Sequence, residues 1–173
     1  MLCRVFTYHQ VCPSYLNFIT CLAGATEVRF GGFRARQCLR SPVSPMKILN
    51  RSGYHYQFSF RVYGVLAFPS HETHPFRFHT SAIYHQFDVH NGTALWIMAS
   101  PIEADGKNYL WSDIRDSIHL GEQCGQQIVS SSCIDRFEGS VLIVAAIADW
   151  SMRHWPEYAH SLENNLREFV SET

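Results

Sequence analysis

FRFHTSAIYHQFDVHNGTALWIMA, residues 76–99, is the stretch on which the fold turns. Aromatic and branched residues that suit a pleated surface flank Asn91-Gly92, a pair that tolerates the positive backbone angles of a tight turn. The spacing predicts a hairpin over 81–99. A two-residue loop at Asn91-Gly92 sets Val89 opposite Ala94, Phe87 opposite Trp96 and His85 opposite Met98, so that one side of the ribbon is largely apolar. Tyr84, Gln86 and Asp88 against Leu95 and Ile97 make the other side mixed.

Working outward, Tyr54, Tyr56, Phe58, Phe60 and Val62 alternate with His55, Gln57, Ser59, Arg61 and Tyr63, the period of a half-buried strand. With a loop around Pro69 to Pro75, at least three strands form an antiparallel sheet. Before them, Pro13 to about Ala23 reads as a helix that turns Tyr15, Leu16, Ile19 and Leu22 inward. Gly31-Gly32-Phe33 reads as a turn, and 34–53 as an irregular connection. After the hairpin, Pro101 to about Trp111 is a loop, and the remainder is helical in pattern. A helix is expected around 121–130. Another spans 132–149, with Ile134, Phe137, Val141, Leu142, Ala145 and Ile147 for burial. A last helix starts near Pro156 and carries Tyr158, Ala159, Leu162, Leu166, Phe169 and Val170 as its stripe. The fold class is α+β, a small antiparallel sheet packed with C-terminal helices.

A chain of 173 residues that is 46% hydrophobic and 14% aromatic fits one domain with a real core. The longest unbroken apolar run, Val141 to Ala148, falls far short of the ~20 residues a spanning helix needs. Tyr8, His9, Gln10 and Pro13 interrupt the N-terminal apolar section, which argues against a signal peptide. The 6 cysteines include no CxxC pair and read as reduced thiols. Net charge is −1 but unevenly spread: no acid lies between Glu27 and Glu72, whereas Arg29, Arg34, Arg36, Arg40, Lys47, Arg51 and Arg61 do. This basic segment can meet an acidic partner or dock on the chain's own acidic second half. Lysine is confined to Lys47 and Lys107, which weighs against nucleic acid as the partner.

The search for chemistry is mostly negative. Among the 10 histidines, His71-Glu72-Thr73-His74 is one residue short of the HExxH spacing that puts two ligands on one helical face, and it lies between prolines. No nucleophile elbow, phosphate loop or dinucleotide fingerprint occurs. Ser130-Ser131-Ser132 and Gly139-Ser140 read as helix-boundary residues rather than as an activated serine. Cys124 or Cys133 with His119, and Asp113 or Asp116 near Arg115, would need to converge in space to act. Trp150 and Trp155, close to Tyr158, read as core anchors with an aromatic ligand pocket as the alternative.

Five blocks carry a family resemblance: QVCPSYLNFI at 10–19, GGFRAR at 31–36, YHYQFSFRV at 54–62, SAIYHQFDVHNGTALWIM at 81–98 and ADWSMRHWPEYAHSLE at 148–163. In this order the chain resembles the N-terminal soluble region of fungal proteins carrying a CorA-like transporter domain, over about Gln10 to Glu163. The resemblance implies a non-enzymatic domain, residues 1–173, on the cytosolic side of a membrane, regulatory or assembly-related and able to form homo-oligomers. It implies no catalytic residue, and no transport by this chain alone. A membrane region follows the soluble domain in such relatives; here the chain stops at Thr173 and lacks the Gly-Met-Asn tripeptide of CorA pores. By the same analogy magnesium is the one candidate ligand, with Asp113, Asp116, Glu157 and Glu163 as oxygen donors. The alternative is a free-standing interaction module that binds an acidic protein or membrane surface through the basic segment 29–61.

Overall fold

The computed structural model describes residues 2–22, 32–38, 52–68, 75–101, 110–112, 114–115 and 132–171. Two short helices, α1 (Leu2–His9) and α2 (Ser14–Leu22), precede four strands: β1 (Phe33–Cys38), β2 (His55–Ala67), β3 (Phe76–Asp88) and β4 (Thr93–Ala99). Two longer helices follow, α3 (Cys133–Met152) and α4 (Trp155–Ser171). The strands pair in chain order, β1-β2-β3-β4, and every neighbouring pair is antiparallel. The expected α+β arrangement of sheet and C-terminal helices is the one observed.

Alternation along β2 and β3 divides the core in two. Phe60 and Val62 of β2, Ile83 of β3, and Trp96 and Met98 of β4 share one face, where α3 delivers Ile143, Ile147 and Trp150 and Leu110 and Ile114 complete the cluster. Ala82 and Tyr84 share the opposite face with Leu95 and Ile97, under Phe6 of α1 and Tyr15 and Phe18 of α2. The Tyr15 hydroxyl donates to the backbone oxygens of Ala82 (3.0 Å) and Ile97 (3.1 Å), latching α2 onto two strands. Burial of that ring pushes its ionisation well above the ordinary tyrosine range. Because helices cover both faces, residues 81–88 of β3 are buried without interruption, and Gln57 and Ser59 of β2 are buried too.

Several expectations change. Phe33–Cys38 is a strand rather than a turn and irregular connection, and Leu2–His9 is an additional helix. In α2 it is Phe18, not Leu16, that turns inward, since Phe18 lies one turn from Tyr15. Residues 110–112 are helical, so the loop after Pro101 ends sooner. The stretch 121–130 lies outside the described residues.

The hairpin register also moves. Asp88 pairs with Thr93, Phe87 with Ala94, His85 with Trp96 and Ile83 with Met98, so four residues, Val89 to Gly92, form the loop. A shift of two positions leaves each side chain on its expected face. The cause is Asp88. One carboxylate oxygen accepts from the backbone N–H of His90 (3.1 Å) and Asn91 (2.9 Å) and from the Ser52 hydroxyl (2.6 Å), while the other accepts from the Ser52 N–H (2.9 Å). Gly92 closes the loop by donating to the Asp88 carbonyl (2.8 Å) with φ of 62°. Burial alone would raise the Asp88 pKa, but these donors together hold it below the ordinary carboxylate value. Asp88→Asn keeps the shape but loses the charge and replaces one acceptor with a donor. We expect it to lower unfolding free energy by about 1–2 kcal/mol in urea titrations.

The C-terminal helices depart most from expectation. Ser132 caps α3, its hydroxyl accepting from the Asp135 N–H (3.1 Å), which agrees with its reading as a boundary residue. Ser140, however, sits mid-helix and is buried. Ile147 is buried as expected, but Ile134 (69%) and Leu142 (66%) are exposed, as are Phe137, Val141 and Ala145. In α4, Tyr158 packs on Phe76 and Phe78, whereas Ala159, Leu162, Leu166, Phe169 (67%) and Val170 face outward.

Candidate functional site

The strongest chemical juxtaposition is a polar seam between the sheet and α3. His85 projects from β3 and Ser140 from α3, with Nε2 and Oγ 2.6 Å apart. The Tyr56 ring lies 5.5 Å from that of His85, centroid to centroid, and burial pushes the tyrosine pKa up to about 12, with the nearby Ser140 side chain opposing the rise. The His85 ring lies 4.1 Å from Trp96 and 4.7 Å from Phe58, centroid to centroid. Burial in this aromatic box lowers the histidine to about 4, so it is neutral at pH 7.

A serine beside a neutral histidine has the outline of a nucleophile and its base. The surroundings differ from a working couple. Both residues are buried (His85 is 1% exposed), and Nδ1 has no hydrogen-bond partner among the described residues where an orienting acid belongs. The seam therefore acts as a polar tie that fixes the rotation of α3 on the sheet. Sequence reasoning missed it because 55 residues separate its partners.

Asp113, Asp116, His71, His74, His119 and Cys124 lie outside the described residues. Glu157 and Glu163 are both on α4, and the Glu163 carboxylate accepts from Arg167 at 2.6 Å. Cys133 donates to the Val89 carbonyl (2.8 Å). His79 meets the Trp150 ring edge-on at 5.6 Å, and His90 lies by Tyr54. Among the described residues no three His, Cys, Asp or Glu side chains gather as metal ligands. Cys3, Cys12, Cys21 and Cys133 are free thiols. Trp150 is the core anchor it reads as, and Trp155 packs with Phe78 and Tyr158.

On the opposite face, β1 brings two arginines beside buried polar residues: Arg34 pairs with Ser59 and Arg36 with Gln57. Among the described residues neither guanidinium has an ion-pair partner; Asp149 and Glu163 pair within their own helices with Arg153 and Arg167. The expected docking of this basic stretch on the acidic half is thus not seen for these two side chains.

Comparison with known proteins decides the family. A family model described as CorA-like transporters matches residues 1–173. The chain belongs to the CorA-like family. No curated protein and no solved structure matches it. Among the described residues of this CorA-like chain, no helix is long and apolar enough to cross a membrane.

Proposed function

We propose that residues 1–173 form a non-enzymatic domain of a CorA-like protein, on the cytosolic side of a membrane, whose role is the assembly of copies and its adjustment by magnesium. Family membership supports the divalent-cation context. The observation that carries the assembly role is the apolar surface of the two C-terminal helices. Ser140, Ile147 and Trp150 face the sheet from α3, yet Ile134, Val141, Ala145 and Met152 line its opposite side. Apolar side chains therefore stand on the outward side of α3 as well as on the side that meets the sheet, beside the charged Glu138 and Asp149. On α4, Leu162, Leu166, Phe169 and Val170 recur at the spacing of one helical face and are exposed together. A second copy presenting the same surfaces would bury both stripes.

The magnesium role falls to Asp113, Asp116, Glu157 and Glu163, hard oxygen donors suited to that ion. The Arg167–Glu163 pair is exposed and contributes little, so it presents no barrier to a cation. Sedimentation velocity of the whole chain tests the reading. Self-association that shifts on adding millimolar magnesium, and that Leu166→Glu/Phe169→Glu abolishes without loss of helical signal, is the expected result. A chain that remains monomeric with and without magnesium refutes it.

A further inference from the structure

We propose that the cavity between β1, β2 and the α1–α2 junction is a binding site for a single phosphate group, free in solution or carried as a monoester headgroup. The cavity measures about 100 Å³ and is lined by Cys12, Ser14, Arg34, Arg36, Gln57 and Ser59 among others. At ~30 Å³ per liquid water this is room for a few waters or one compact tetrahedral oxyanion.

The walls select charge as well as size. The β1–β2 register sets Arg34 and Arg36 on the side of the sheet that carries Ser59 and Gln57. Each guanidinium offers five N–H donors and no acceptor, in a fork that fits two oxygens of a phosphate. Among the described residues no carboxylate lines the cavity. Among the described residues neither arginine is neutralised from elsewhere.

Ser59 is the second, independent observation. It is 2% exposed, lines the cavity, and its hydroxyl makes no hydrogen bond among the described residues. Its neighbour Gln57 is satisfied: Nε2 donates to the Gln10 carbonyl (3.2 Å) and to Gln86 Oε1 (3.3 Å). The Ser14 hydroxyl and the Cys12 thiol pair with each other at 3.1 Å. The hydroxyl without a protein partner among the described residues is that of Ser59, which lines the space the two arginines flank, and an oxyanion there can accept from all three.

The site lies within one chain, so its test is independent of assembly. Inorganic phosphate is titrated calorimetrically into the whole chain against chloride at equal ionic strength. Saturable binding specific to phosphate is expected, weakened about tenfold by Arg34→Ala or Arg36→Ala and less by Ser59→Ala. Because Ser59→Ala removes an unpaired donor, its unfolding midpoint should not fall, which separates a ligand contact from a merely structural role. Phosphatidylcholine vesicles with and without phosphatidic acid form the second arm. Sedimentation that needs phosphatidic acid and both arginines identifies a lipid headgroup as the source; binding of inorganic phosphate without it identifies the free ion. If neither probe binds, or if binding survives Arg34→Ala/Arg36→Ala unchanged, the proposal is wrong.

Discussion

Trp150→Ala is expected to destabilise the chain by about 3–5 kcal/mol, because it removes a large buried ring from the cluster that joins α3 to the sheet. The same contact predicts a second, smaller defect from the opposite side. Gly64 of β2 lies directly under that ring, and a Cβ built there stands 2.6 Å from its Cη2 and 2.7 Å from its Cζ3. Those atoms belong to a packed indole, not to the free end of a flexible chain, so Gly64→Ala must shift the ring or the strand. A cost of about 1–3 kcal/mol follows. The two effects should not add. Once Trp150 is alanine, the methyl at position 64 meets open space and its penalty vanishes, so a double-mutant cycle in urea should return a coupling of about 1 kcal/mol or more. Strict additivity would show that the ring does not rest on Gly64.

The second large effect is an acid sensitivity centred on His85. Unfolded, this histidine takes up a proton near 6.5; native, burial holds it neutral until about 4. Between these values the unfolded chain binds more protons, so stability falls as pH drops through the window from about 6.5 to about 4. The slope approaches ~1.4 kcal/mol per pH unit and the total is about 3 kcal/mol. Above the window both states are neutral, and below it both are charged, so no further loss arises from this residue. Tyr56 across the seam is neutral throughout, and Asp88 acts at lower pH because its carboxyl is held below the ordinary range. Urea unfolding of the native chain and of His85→Gln at pH 7.5 and 4.5 isolates the term: the native chain should lose about 2–3 kcal/mol more. Equal losses would mean that position 85 is not buried as described.

How much of this was legible depends on how local each signal is. The period-two run in β2, the aromatic ribbon of β3 and β4, and the existence of α3 and α4 rest on neighbours in sequence and are found where the pattern puts them. β1 was not legible, because Phe33–Cys38 is short, carries Arg34 and Arg36, and follows two glycines. The face of α3 that turns inward was not legible either. Its apolar residues encircle the helix, and the choice is made by a serine meeting a histidine and a tryptophan fitting over a glycine, both on distant strands. The loop length at Asn91-Gly92 was set by the Asp88 carboxylate, whose partner Ser52 lies 36 residues away. For the candidate site, Arg34 and Arg36 stood out in the charge pattern, but Ser59 shows only when strand register places it across from Arg34.

The Tyr15 latch has a consequence for biosynthesis. Its acceptors lie 67 and 82 residues further along the chain, so the leading helices leave the ribosome long before the surface that receives them exists. Contacts of such sequence separation form late. During synthesis Phe6, Tyr15 and Phe18 therefore stay uncovered until the strands that receive them have been made, and apolar surface left open in that interval invites association.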